Sequence, residues 1–195
     1  MSQFDLEAEL PEFAAEQGAA NEAELAEALA ELAALSMSDL TASEVTAGRA
    51  RLLGAVQAGP ERYAPFFGKL TKFFDLSMDA LREIFARAEK ESEWQPGPLP
   101  WVSLFHLQGG PAVAGFDTGF VRMKRGTPFP PHRHTAFERV LILSGSYHDS
   151  EGQYFGPGDL HVMAEGTEHA LQMSADEDVF FAVVLAGEIQ VLGAP

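Results

Sequence analysis

Hydrophobic positions along this chain change their spacing near residue 95. Upstream they recur every three or four residues, which is the period of one face of an α-helix. Leu25, Leu29, Leu32 and Leu35 predict a helix over about residues 21–35, with Asn21 at its N-cap. Val45, Arg49, Leu52 and Val56 predict a second helix, from Thr41 or Ser43 to about Ala58, ended by Gly59-Pro60. Tyr63, Phe66, Phe67, Leu70, Phe73 and Phe74 make a wide aromatic stripe. Ser77 then caps a further helix, with Asp79 in its first turn and Met78, Leu81, Ile84, Phe85 and Ala88 on its inner face. Stripes of this kind are core, expected to hold the helices together or onto the segment that follows. Residues 1–92 contain no catalytic constellation.

Trp94-Gln95-Pro96-Gly97-Pro98-Leu99-Pro100 cannot continue a helix and reads as an extended, proline-rich linker over 94–100. Beyond it, short apolar or alternating runs are separated by Gly, Pro and Asp turns. Trp101–Leu107, Gly119–Arg125, Arg139–Leu143, Leu160–Met163, Val179–Leu185 and Ile189–Leu192 are predicted strands. The chain is therefore expected to be α+β, with a helical region over 1–93 and an all-β barrel or sandwich over 101–195. The first ~20 residues precede the first helix and are expected to be mobile.

Composition narrows the function. At 46% hydrophobic residues the chain can build a core, yet no apolar run is long enough for a transmembrane helix. The acidic start, Met1-Ser2-Gln3-Phe4-Asp5, lacks the features of a signal peptide, so a cytoplasmic location is the expectation. Cysteine is absent, which excludes disulfides, thiolate chemistry and sulfur-ligated metals. The formal charge of −16 disfavours direct nucleic-acid binding. No Lys or Arg precedes Arg49, whereas acidic residues run from Asp5 to Glu44. That stretch is either a solvated helix face or a docking surface for a basic partner.

The histidines carry the candidate chemistry. His132 and His134, at i and i+2 on a strand, project from one face, and Glu138 can return to that face after a short turn. His169 would come from a neighbouring strand after the turn Gly156-Pro157-Gly158-Asp159, completing a shell of three imidazoles and one carboxylate. First-row divalent metals accept such a shell at roughly 2.0–2.2 Å per bond. Histidines that merely filled a barrel would not need Glu138 among them. His106 and His148 are expected at the surface or locally satisfied. His161, alternating with Leu160 and Val162, is expected to point into solvent. Tyr147 and Arg122 are candidate pocket-lining residues.

At these positions the chain resembles the cupin superfamily. The first cupin motif reads G, five residues, HxH, three or four residues, E, six residues, G, and Gly126, His132, His134, Glu138 and Gly145 match every spacing. In the second motif Gly158, Gly166 and His169 match, while Ala164 replaces a proline, a change expected to affect turn stiffness and not ligation. The resemblance implies a jelly-roll barrel. A helical amino-terminal region joined to a single cupin further resembles the ChrR-type anti-sigma factors, as does the segment from His132 through Gly158-Asp159 to Glu168-His169. That resemblance implies zinc held by His132, His134, Glu138 and His169, and a helical domain that binds a sigma factor. Ala47–Val56 is loosely similar to a helix of anti-sigma domains. The family's amino-terminal zinc motif combines histidine with two cysteines, and this chain has neither before residue 100, so that finger is excluded.

The rival expectation is enzymatic. Three histidines and a glutamate around Fe(II) leave two open positions for substrate and dioxygen, and other cupins use Mn, Ni or Zn. The helical half would then be a lid or the contact of a homodimer. A small-molecule ligand sensed in the barrel without turnover is the third reading. Nothing in the sequence names a catalytic residue or a substrate.

Overall fold

The computed structural model describes residues 59–192. The helices expected over about 21–35 and from Thr41 or Ser43 to Ala58, the Asn21 cap and the acidic stretch from Asp5 to Glu44 lie outside the described residues. The chain divides at Pro65 into two units. The described part of the first holds the 3-10 turn Pro60–Tyr63, where the Arg62 guanidinium lies 4.7 Å over the Tyr63 ring.

Two helices, α1 (Ala64–Phe74) and α2 (Met78–Ala88), precede the strands. Phe67, Leu70, Phe73 and Phe74 of α1 are buried at helical spacing. The helix stops at Asp75, which adopts a left-handed conformation (φ 55°) while the Leu76 N–H donates to the Thr71 carbonyl at 2.9 Å. Asp75 is held there by its own carboxylate, which accepts the Ala112 N–H at 2.8 Å. The Ser77 side chain accepts the Ala80 N–H at 3.2 Å and so caps α2, as its sequence position predicts. Met78 is 37% exposed and does not join the inner face. It is the first helical residue, and the buried stripe begins one turn later, at Leu81. Among the described residues no helix is long and apolar enough to cross a membrane.

Eleven strands follow: β1 (Gln95–Pro96), β2 (Val102–Leu107), β3 (Asp117–Met123), β4 (Pro128–His134), β5 (Glu138–Ser144), β6 (Tyr147–Asp149), β7 (Tyr154–Phe155), β8 (Leu160–Met163), β9 (Glu168–Met173), β10 (Val179–Leu185) and β11 (Ile189–Val191). They form two antiparallel sheets, one ordered β1-β2-β3-β10-β5-β8 and the other β11-β4-β9-β6-β7. The α+β expectation holds, with the β half arranged as a jelly roll of two sheets. Within the proline-rich segment, Gln95 pairs with Leu104 and Pro96 with Ser103, so the extended chain is an edge strand, where a proline costs no ladder bond. Leu160–Met163 and Val179–Leu185 are strands over the expected residues, whereas the strand expected at Gly119–Arg125 runs two residues earlier.

The central strands of the larger sheet, β3, β10 and β5, are buried on both faces. Its inner face contributes Val102, Val121, Val140, Ile142 and Phe181 to a core shared with Phe129, Tyr147, Phe155 and Met173 of the smaller sheet. Its outer face carries Phe105, Phe120 and Phe180, which the helices cover. Phe120 has ring centroids 4.9 Å from Phe85, 5.7 Å from Phe74, 5.9 Å from Phe105 and 5.1 Å from Phe180. Trp94 extends the cluster to Phe105 and Phe180, and the Arg122 guanidinium lies 3.8 Å over the Trp94 ring. Phe120 thus joins α1, α2 and three strands. Phe120→Ala is expected to cost about 3–5 kcal/mol, the usual range for emptying a buried phenylalanine site. The midpoint and slope of urea unfolding measure it.

Candidate metal centre

The site begins with a change of phase in β4. Phe129 pairs with Leu171 and His132 with His169, so three steps on β4 match two on β9. The extra residue sits at Pro130-Pro131, where proline has no N–H to withdraw from the ladder. After this bulge His132 and His134 face inward, 2% and 0% exposed, while Arg133 between them is exposed. Glu138 opens β5 on the same inward face as Val140 and Ile142 and is buried. His169 stands directly opposite His132 on β9.

The turn that delivers His169 is tied to the backbone of His134. The Gly166 N–H donates to the His134 carbonyl at 2.8 Å, and the His134 N–H donates to the Thr167 carbonyl at 3.0 Å. Gly166 has φ +83°, a conformation side chains rarely adopt, so glycine is required at this point of the turn. At Ala164, where the cupin motif has proline, the carbonyl accepts both the Thr167 hydroxyl (2.7 Å) and its N–H (3.2 Å), so hydrogen bonds close the turn in place of a rigid ring.

Three of the four expected residues converge. His132, His134 and His169 offer nitrogens that all lie within 4.8 Å of one another. The Nε2 atoms of His134 and His169 are 3.1 Å apart. Nδ1 of His132 lies 2.9 Å from the Pro130 carbonyl, to which it can only donate, so the free lone pair of that ring is on Nε2. Glu138 stands beside the trio, with Oε2 3.1 Å from Nδ1 of His134. That approach lacks the direction of a hydrogen bond, and His134 Nδ1 is buried with no hydrogen-bond partner.

The donor set fits a cation. Burial pushes the proton affinity of His132 down, an effect the neighbouring His134 reinforces and the Pro130 carbonyl opposes. Burial likewise holds His169 down to about 3, with His132 next in effect. Two imidazole nitrogens 3.1 Å apart, with a buried carboxylate beside them, make a set of donors whose lone pairs a divalent ion would take up. A cavity of about 200 Å³ adjoins His132 and His169. Its wall is mostly apolar, including Val121, Val140 and Phe181, with His132, Glu138 and His169 among its few polar groups.

Other expectations separate cleanly. His106 and His148 are exposed, and His106 Nδ1 lies 3.0 Å from Asp117 Oδ1. Tyr147 lines the cavity. Arg122 does not: it is on the outer face, donating to Glu91 at 2.6 Å and to the Ala88 carbonyl at 3.1 Å. His161 does not point into solvent either. Its ring stacks on Phe155 at 3.8 Å and reaches His169 at 5.2 Å, while Val162 is the exposed neighbour. The usable signal was Met163, two residues on and buried, which shares a strand face with His161.

The profile described as ChrR Cupin-like domain matches residues 83–188, more than half of the chain, and the chain belongs to that family. Among solved structures, an RmlC-like cupin protein from Ralstonia eutropha JMP134 is 26% identical with a TM-score of 0.45, covering 51% of this chain and 66% of that one. The complex of Rhodobacter sphaeroides SigE with the anti-sigma ChrR matches at 22% identity and a TM-score of 0.42, covering 47% of each chain. The DMSP lyase DddQ from Ruegeria pomeroyi DSS-3 matches at 23% identity and a TM-score of 0.43, covering 60% of this chain and 66% of that one. The chain therefore spans less than two thirds of the length of these structures. No curated protein matches it.

The lowered histidines make a pH prediction for metal-free protein. Native His169 and His161 remain neutral down to about 3 and about 4, whereas the unfolded chain takes up protons near 6.5. The unfolded state therefore binds more protons as pH falls below 6.5, and native stability declines through that window. The urea midpoint of chelator-treated protein is expected to be lower at pH 5 than at pH 7, and His169→Gln is expected to shrink the difference.

Proposed function

We propose that this ChrR-like cupin protein is a metal-binding regulator of the anti-sigma type. In this reading His132, His134 and His169 hold a divalent cation, with Glu138 as the fourth group, and zinc is the first expectation. The observation that carries it is the convergence of three imidazoles on one point inside a ChrR cupin-like domain. A bound cation would cross-link β4, β5 and β9 and act as a Lewis acid toward the cavity. The chain's own contribution is orientation: Pro130 fixes the tautomer of His132, and the turn at Gly166 binds His169 to the backbone of His134. Partner binding is assigned to the helical region, whose acidic residues from Asp5 to Glu44 suit a basic surface such as that of a sigma factor. A cytoplasmic setting belongs to the same reading.

The cavity favours a second reading, a metal-dependent cupin dioxygenase or related enzyme. A largely apolar space of about 200 Å³ beside His132 and His169 can admit a small organic molecule. Iron, manganese or nickel would then replace zinc. Iron retained through anaerobic purification, together with oxygen uptake on adding a diketone, would favour the enzyme; tightly held zinc without oxygen uptake would favour the regulator.

Elemental analysis of protein from its native host is expected to find about one zinc per chain, the count for a single site. His132→Ala should bring the melting temperature of metal-loaded protein down to that of chelator-treated wild type. The loss corresponds to about 2.7 kcal/mol where free metal stands at a hundred times its dissociation constant. Identical melting curves for both proteins, with and without chelator, would refute the metal. Co-expression with the sigma factors of its native host is expected to yield a stable complex with one of them, and failure of all to co-purify would remove the anti-sigma assignment while leaving the metal centre intact.

A further inference from the structure

A fourth imidazole stands at the edge of the centre, outside the converging set. The His161 ring on β8 is held from two sides. Phe155 stacks beneath it, with centroids 3.8 Å apart and planes 12° from parallel, and the Tyr147 hydroxyl lies 3.0 Å from its Nδ1. Its ring meets that of His169 at 5.2 Å, against 4.4–5.0 Å among the three rings of the centre. Tyr147 is 1% exposed, and a phenol buried to that degree must place its proton on an acceptor. Burial, reinforced by the charge of Glu138, raises its pKa, so the oxygen keeps that proton. Nδ1 of His161 is the acceptor within reach, which makes His161 the Nε2–H tautomer. Among the described residues, no protein atom pairs with that Nε2–H.

Resting on the reading that the centre holds a cation, we propose that Tyr147 and His161 are a positioning pair for a small anion bound there. Tyr147 fixes the tautomer and orientation of His161, and His161 donates its Nε2–H to an oxygen or nitrogen of the anion. The ligand class follows from charge: three neutral imidazoles and one carboxylate leave a divalent ion one unit positive, which suits a carboxylate or another small monoanion. A hydrogen bond to a charged partner is the stronger kind, so the donor is expected to contribute measurably to affinity. Phe155 supplies the rigid floor that keeps the ring aimed.

The test uses the full-length protein with zinc replaced by cobalt(II), whose visible absorption reports the coordination, and azide as the probe anion. Wild type is expected to take up cobalt and change its spectrum on azide addition. His161→Ala should retain cobalt but bind azide about tenfold or more weakly, the loss of one charge-assisted hydrogen bond. Tyr147→Phe, which removes a single oxygen and spares the stack, should weaken azide severalfold. His161→Gln, which keeps an N–H donor, should recover part of the affinity lost in His161→Ala. Unchanged azide affinity in His161→Ala and Tyr147→Phe overturns the pair. So does loss of cobalt from folded His161→Ala, since His161 would then be a ligand. Should His161→Ala fail to fold, Tyr147→Phe decides: unchanged azide affinity there overturns the pair. Cobalt uptake by wild type without any azide response overturns the pair alone, whereas no cobalt uptake at all overturns the metal centre beneath it.

Discussion

The extra residue at Pro130-Pro131 sets the direction of every side chain that follows it in β4. With a regular two-residue period, the inward phase of Phe129 would pass to Pro131 and Arg133, and His132 and His134 would face water. An unpaired guanidinium would then occupy an apolar interior, which is strongly unfavourable. The bulge reverses this, turning both imidazoles inward and putting His132 opposite His169. It also leaves the Pro130 carbonyl beside His132, where it accepts from Nδ1 and turns Nε2 toward the centre. One local irregularity therefore chooses the face, the neighbour and the tautomer of His132.

The larger sheet gives that arrangement a rigid base because its central strands are buried on both faces. Val140, Ile142 and Phe181 line the interior, while Phe120 and Phe180 meet Phe85 on the other side. A sheet covered on one side only would expose these rings. The helical cover also reaches the second motif: the Lys69 ammonium on α1 donates to the Gly158 carbonyl at 3.1 Å, in the turn that leads to β8 and His161. At the other end of β5, Gly145 approaches the Asp178 carbonyl so closely that an added Cβ would lie 2.6 Å from it, and its φ of +68° also calls for glycine. Motif glycines and helix contacts thus hold the strand ends from which the site residues project.

The interior couples its chemistry to its dryness. Apolar surroundings lower the proton affinity of His132, His161 and His169, so their lone pairs stay available near neutral pH. The same surroundings strengthen any charge–dipole interaction inside the cavity. Buried imidazoles, a buried carboxylate and a small apolar space thus share one dry interior.

Motif spacing alone was enough to place His132, His134, Glu138 and His169 near one another and to assign the family, because glycine turns and i, i+2 periodicity are local properties of the chain. The Ser77 cap and the aromatic stripe from Phe67 to Phe74 were legible for the same reason. Strand phase was not. Val179–Leu185 is apolar throughout because it is buried on both faces, and such a run carries no alternation from which to read inside and outside. His161 was misdirected by its apolar neighbours, and Arg122 could not be assigned to either face. Only the tertiary fold decided that His161 meets Tyr147, that Arg122 covers Trp94, and that Glu138 lies against His134 and not midway among the three imidazoles, since each of these depends on which strands become neighbours and sequence separation does not record that.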